Sequence, residues 1–302
     1  MKQQNDSIIA ALNSKAIKTG MAPAALFQHY AMECFLKKLA ASPYASRFFL
    51  KGGMLIMALT SAPARTTMDI DLLGRVSNDP QKLQSIFRTI IHSKGANIHD
   101  IEFSDNFIIS EITKDALYVG QRVEFSARLG KLKIPMKIDI GFSDEIYPAP
   151  LHLTYPTLLS EEPTLNLWSY TPESLAAEKW HALVKLNRIN SRMKDVYDLW
   201  LLSHNLTFEY KTLQQAIQQV FAKRNTSIEE YHEICSEDYL KHMEDKWYTY
   251  ISKLKANVYR WKPPVVLPPK DFASVFNELI EWLGPAMQDM PLKRWKPGQG
   301  WK

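Results

Sequence analysis

Apolar and polar positions repeat along this chain with two different periods, and the switches between them mark out its elements. Residues 6–41 follow the helical period. Ser7 can open a first helix that carries Ile8, Ile9 and Leu12 on one stripe. A second helix is predicted over 23–41, with Ala25, Met32, Leu36 and Leu39 on one face and Leu26 and Phe35 beside it. Phe48, Phe49 and Leu50 form a strand-like run that stops at Lys51-Gly52-Gly53, and the apolar segment 54–59 starts a helix directly after the glycines. Asp79-Pro80 opens a helix over 83–91, and 102–112 alternates loosely enough to be a strand. Over 122–142 the period is two. Val123, Phe125, Ala127 and Leu129 oppose Arg122, Glu124, Ser126 and Arg128; a turn follows at Gly130-Lys131; then Ile134, Met136, Ile138 and Ile140 oppose Lys133, Pro135, Lys137 and Asp139.

Pro148, Pro150, Pro156, Pro163 and Pro172 crowd the stretch 147–172, which reads as a linker. The pattern beyond it is helical, so a domain boundary is expected near residue 160, giving domains 1–160 and 161–302. Thr171-Pro172-Glu173 supplies a cap, a proline for the first helical position and an early acid for a helix to about residue 186. Leu175, Lys179, Ala182 and Leu186 share one face of it. Lys179 therefore sits on an apolar stripe, where a lysine either reaches along it to water or is held near an anion. In the next helix, NSRMKDVYDLWLL, Arg192, Asp195, Asp198 and Leu199 fall at spacings of three and four. Local pairs, Arg192 with Asp195 and Lys194 with Asp198, account for these charges on the residues alone.

Composition narrows the class. The chain has 302 residues, 46% of them apolar and 23% charged, which suits a soluble globular protein of one large or two ordinary domains. The longest apolar runs are far too short to span a bilayer, and MKQQNDSIIA does not read as a signal peptide. Cys34 and Cys235 are the only cysteines, which leaves no disulfide framework or cysteine-rich metal site and points to a reducing cytoplasm. A net charge of +5 permits contact with a polyanion without requiring it.

The candidate chemistry lies in 48–73. Asp69 and Asp71 are two apart between Met68, Ile70 and Leu72, so on a strand both carboxylates share a face. Two adjacent carboxylates repel unless a cation sits between them, and Mg²⁺ is the usual cation where phosphates are near. Gly52 and Gly53 let a phosphate approach the backbone at a helix N-terminus. Asp139, on a strand with an apolar face, needs either an ion pair with a neighbouring lysine or a place as a third metal-binding carboxylate.

The glycine turn and the Asp-x-Asp strand, one helix apart, resemble the signature of the nucleotidyltransferase (polymerase-beta-like) fold. The chain as a whole resembles the AbiEii nucleotidyltransferase toxin family: LKGG, R-x-T-x-D-I-D-L, Y-x-G-x-R-V, K-I-D-I-G-F, Y-P-T-L-L, A-E-K-x-H-A-L and N-S-R-M-K-D-x-Y-D-L-W occur in the family's order. The resemblance implies an α+β fold, a mixed-sheet nucleotidyltransferase domain followed by a helical C-terminal domain. It implies a type IV toxin of the abortive-infection kind, using Mg²⁺ and a nucleoside triphosphate, with a separately encoded antitoxin as partner. Some relatives add nucleotides to the acceptor end of tRNA and so block translation, which makes tRNA the first candidate acceptor.

Carried over by position, Gly52 and Gly53 match the phosphate-binding turn, with Lys51 before it; many relatives have Gly-Ser there. Asp69 and Asp71 match the metal pair, Asp139 the further strand carboxylate, Lys179 the lysine motif and Asp195 the last aspartate motif, with Asp198 open to exchange with Asp195. Arg65 precedes the carboxylates as family arginines do and faces a phosphate on that reading. Lys253, Lys255, Arg260, Lys262, Lys293, Arg294, Lys296 and Lys302 lie among Tyr259, Trp261, Trp295 and Trp301, a mixture suited either to phosphate contact with base stacking or to a solvated face with packed tryptophans. Two rival readings remain: a transferase of the same fold that modifies a protein or small molecule, and a non-catalytic regulator that keeps the fold.

Overall fold

The structure, a computed structural model, describes residues 2–60, 65–94, 101–114, 118–142, 145–159 and 165–302, except for the side chains of 2–5, 113–114 and 118–119. These fall into two compact units. The first comprises 1–143, 151–169 and 260–264; the second comprises 144–150, 170–259 and 265–302.

The first unit opens with α1 (Lys2–Thr19) and α2 (Pro23–Ala40). α1 already runs through Ser7, because the polar residues before it are helix-compatible but carry no apolar stripe to reveal them. From Tyr30 to Leu36 every residue of α2 is buried, and the helix packs on the sheet described next. The strands are β1 (Phe48–Lys51), β2 (Ile70–Gly74), β3 (Ile101–Phe103), β4 (Ile108–Lys114), β5 (Tyr118–Leu129), β6 (Leu132–Gly141), β7 (Leu151–Tyr155) and β8 (Leu165–Ser169), with α3 (Gly52–Thr60) and α4 (Pro80–Ile91) between them. They form one mixed sheet in the order β3-β5-β6-β2-β1-β8-β7, with β4 on β5. β2 runs parallel to β6 and β1 parallel to β8, and the other pairs are antiparallel.

The local signals act as the sequence suggests in most places. Asp79 caps α4 by accepting the Lys82 N–H at 2.9 Å ahead of Pro80. Gly130 takes φ +58° in the β5–β6 turn, so Leu129 pairs with Leu132 and the alternating apolar positions of both strands are buried. Phe35, Phe87 and Phe125 meet in an aromatic cluster at the centre of the core.

Two expectations differ. The predicted strand over 102–112 is broken into β3 and β4 by Ser104-Asp105-Asn106, where the Ser104 hydroxyl accepts the Asn106 N–H in a local turn. The proline-rich stretch is also more than a linker, since β7 and β8 pair with each other and β8 pairs with β1. Its prolines lie between and beside the strands, so they mask the short alternations of Leu151, Leu153, Tyr155 and Leu165, Leu167. The boundary expected near residue 160 lies outside the described residues, in the connection between those two strands.

The second unit holds α5 (Pro172–Leu186), α6 (Met193–Asn205), α7 (Tyr210–Lys223), α8 (Tyr231–Ile234), α9 (Glu237–Val258) and α10 (Phe272–Leu283). It also contains a small antiparallel sheet: β9 (Phe208–Glu209), β10 (Arg294–Lys296) and β11 (Gly300–Trp301). Thr171 caps α5 as read from sequence, accepting the Ser174 N–H at 3.1 Å. The chain thus has the α+β class expected of it, a mixed sheet followed by a largely helical part. No helix among the described residues is long and apolar enough to cross a membrane.

Candidate active site

One register row crosses four adjacent strands of the first unit. Lys51 on β1 pairs with Asp71 on β2, Asp71 with Asp139 on β6, and Asp139 with Arg122 on β5. Cross-strand partners point to the same side of a sheet. The row therefore sets two cations at its ends and two carboxylates between them on one face. The sequence creates it simply: the tight turn at Gly130 fixes the β5–β6 register, and the parallel pairing of β2 with β6 brings Asp71 alongside.

The glycine turn joins this row at Asp71. Gly52 opens α3 at φ +67°, a conformation that favours glycine, and a Cβ there would collide with the Asp71 carboxylate. A Cβ at Gly53 would lie 3.1 Å from Arg65 Nη2 and would collide with Thr67 Oγ1. Thr67 is buried, and Arg65 Nη1 donates to its hydroxyl at 3.4 Å. Gly52, Gly53, Arg65 and Asp71 are thus brought together at the N-terminus of α3, where backbone N–H groups favour an anion. Asp69 stands at the bend just before β2, half-buried like Asp71.

Asp139 is buried, and both of its oxygens are engaged. Arg122 donates from Nε to Oδ1 at 2.8 Å and from Nη2 to Oδ2 at 3.1 Å. The ion pair read as one alternative for Asp139 exists, with the cross-strand arginine in the place of a lysine. The hydrogen bond to Asp139, with the charges of Asp139, Glu124 and Asp69, holds the Arg122 guanidinium above its ordinary pKa against a counteracting burial cost. Asp69 is therefore within electrostatic reach of the same guanidinium. Among the described residues no three His, Cys, Asp or Glu side chains are arranged to hold a metal ion together. The Asp69/Asp71 pair still fits Mg²⁺, which typically takes one or two carboxylates and completes its shell with phosphate and water.

Sequence reasoning missed Arg122 and Thr67. Counting back from the two-residue turn gives the Arg122–Asp139 pairing, so that signal was present. Both residues are also fixed positions of the motifs R-x-T-x-D-I-D-L and Y-x-G-x-R-V, although the closeness of Thr67 to Gly53 is tertiary.

Lys179 and Asp195 lie in the second unit. Lys179 Nζ donates to Asp195 Oδ1 at 2.6 Å and sits 2.7 Å from Asp198 Oδ2, and Arg192 Nε is 3.0 Å from Asp195 Oδ2. Lys179 is therefore held between anions, as one of its two readings required. The Arg192–Asp195 pair is present, while Asp198 turns to Lys179 on α5, a partner that a single-helix reading could not supply. Both aspartates are completely buried. The C-terminal tryptophans are packed. Trp261 and Trp295 are buried, Trp295 Nε1 donates to the Ser203 carbonyl at 2.8 Å, and Trp301 Nε1 donates to that of Trp282 at 2.9 Å. Trp261 and Trp295 are thus packed, whereas Tyr259 of the same stretch is exposed.

The family model described as nucleotidyl transferase AbiEii toxin, type IV toxin–antitoxin system, matches residues 34–275. No individually curated protein matches. Among solved structures, JHP933 from Helicobacter pylori is 15% identical, with 86% of this chain and 93% of that one covered and a TM-score of 0.44. The antibiotic-resistance factor ANT(2'')-Ia is 16% identical over 67% of this chain and 98% of that one, with a TM-score of 0.35. An antigenic nucleotidyltransferase-like protein from Paracoccidioides brasiliensis is 15% identical over 63% and 88%, with a TM-score of 0.35.

Proposed function

This chain belongs to the AbiEii nucleotidyl transferase toxin family, and from that premise we propose that it transfers a nucleotide from a nucleoside triphosphate to an RNA, with tRNA first among the acceptors. The observation that carries the reading is the meeting of Asp71 with the glycine turn at the start of α3. The α3 N-terminus and Gly52-Gly53 receive the triphosphate, Arg65 and Lys51 add positive charge beside it, and Asp69 and Asp71 are the residues that would hold Mg²⁺. When bound, the metal supplies charge neutralisation at the phosphates and leaving pyrophosphate. The acceptor hydroxyl oxygen forms the new bond to the α-phosphorus, the bond to the bridging oxygen breaks, and pyrophosphate and the hydroxyl proton leave. Positioning and electrostatics account for most of the acceleration of such a reaction.

Lys179 and Asp195 enter this proposal through the resemblance, as further residues of the same reaction. The family description also implies an antitoxin partner. The choice of RNA rests on the family and on the basic C-terminal residues, since the tryptophans there are packed away. Incubation with each α-labelled nucleoside triphosphate, Mg²⁺ and total RNA tests the whole reading. Label in RNA, tRNA foremost, is expected. Label confined to protein or to a small molecule replaces the acceptor, and no labelled product from any nucleotide removes the activity.

A further inference from the structure

The register row assigns Arg122 a part of its own. We infer that Arg122 is a triphosphate-binding residue of the nucleotidyl-transfer site, and that Asp139 is the positioning residue that aims it rather than a ligand of the metal. The inference rests on the transfer reading above and deepens it. Both Asp139 oxygens are already hydrogen-bonded to the guanidinium, at 2.8 and 3.1 Å, so a metal at that carboxylate would have to displace Arg122. Their cross-strand pairing fixes the arrangement from the backbone up. A guanidinium has five N–H donors, and only two of Arg122's are used on Asp139. The remaining ones belong to a side chain that is 31% exposed, whereas that of Asp139 is 7% exposed. Buried carboxylate behind and solvent-facing guanidinium in front is the geometry of an arginine held ready for a phosphate, which it recognises through a planar fork of donors. Its place in the row, one strand beyond Asp139 and two beyond Asp71, puts it on the face that carries the candidate metal pair. The charge of Asp69 reaches it as well.

The test uses the full chain and two probes: Mn²⁺ as a spectroscopic stand-in for Mg²⁺, and inorganic tripolyphosphate. Arg122→Leu alone strands a buried carboxylate and endangers folding, so the decisive variant is the double one, Arg122→Leu with Asp139→Leu, verified by circular dichroism. Its Mn²⁺ affinity should stay within about twofold of wild type, while tripolyphosphate affinity falls roughly 10- to 100-fold, the scale of a charge-assisted contact. Arg122→Lys should keep part of that affinity, because the charge remains and the fork is lost. Loss of Mn²⁺ binding in the double variant would make Asp139 a metal ligand and overturn the inference; so would unchanged tripolyphosphate affinity. Asp69→Asn with Asp71→Asn is the control that should abolish Mn²⁺ binding. A wild-type chain that binds neither probe brings down the transfer reading and this role with it. A wild-type chain that binds both, paired with a silent double variant, brings down only the role of Arg122.

Discussion

Two clusters in which carboxylates meet cations, one in each unit, are built to opposite ends. In the helical unit, Asp195 and Asp198 are completely buried and Lys179 fills the space between them, its own side chain 11% exposed. In the sheet unit, Asp69 and Asp71 remain half-buried beside a turn whose glycines leave room for nothing larger, and the cation at the end of the row faces solvent. The first cluster draws its charges together out of water. The second sets half-buried carboxylates and a partly exposed arginine on one face, an arrangement a ligand can reach. Similar residue types therefore stand fully buried in one place and partly open to solvent in the other, and the difference lies in what surrounds the charges.

The largest expected effect is on catalysis. Asp71→Asn should lower nucleotide transfer by about 10³-fold or more, the scale on which groups that steady a transition state act, while the near-isosteric side chain keeps the fold, read as an unchanged circular dichroism spectrum. A variant that lost activity only by unfolding would erase the contrast between the clusters.

Lys179→Met should cost stability as well as activity. Removing the lysine leaves two buried carboxylates without it, at a cost of about 3–5 kcal/mol in denaturant unfolding. A Lys179→Met chain of undiminished stability would show that Lys179 does not hold the helical cluster together, and one that also transfers nucleotide normally would remove it from the proposed reaction.

Gly52→Ala tests the closeness of turn and carboxylate. The positive φ and the collision with Asp71 should together cost about 2 kcal/mol or more of stability, read from the same unfolding curve. A neutral result would mean that the turn is looser than its backbone indicates.

The smallest effect is expected for Arg192→Ala. Its side chain is 36% exposed and Lys179 still covers Asp195, so the loss should be within about 1 kcal/mol. A larger loss would make Arg192, not Lys179, the cation that closes the helical cluster.

The local elements around both clusters were legible because they follow from neighbours in sequence. The Asp79 and Thr171 caps, the Gly130 turn and the alternation in β5 and β6 are all short-range devices. The turn and the spaced aspartates pointed to the candidate site, whose parts the fold brings together at the start of α3. The sequence hid what depends on long-range pairing: the parallel β1–β8 contact behind a screen of prolines, the capture of Asp198 by a lysine on another helix, and Thr67 beside Gly53. The C-terminal aromatics illustrate the same limit. Interleaved with basic residues they suit base stacking equally well, and only burial assigns Trp261 and Trp295 to the core while Tyr259 stays exposed.

The central claim is that the half-buried carboxylates beside the glycine turn carry a nucleotidyl transfer. Transfer of α-labelled nucleotide to RNA, measured side by side for the wild-type chain and for Asp69→Asn and Asp71→Asn variants of verified fold, tests it most directly. The account predicts labelled RNA from the wild type and a loss of about three orders of magnitude or more in each variant. Label that persists undiminished in the folded variants would contradict it.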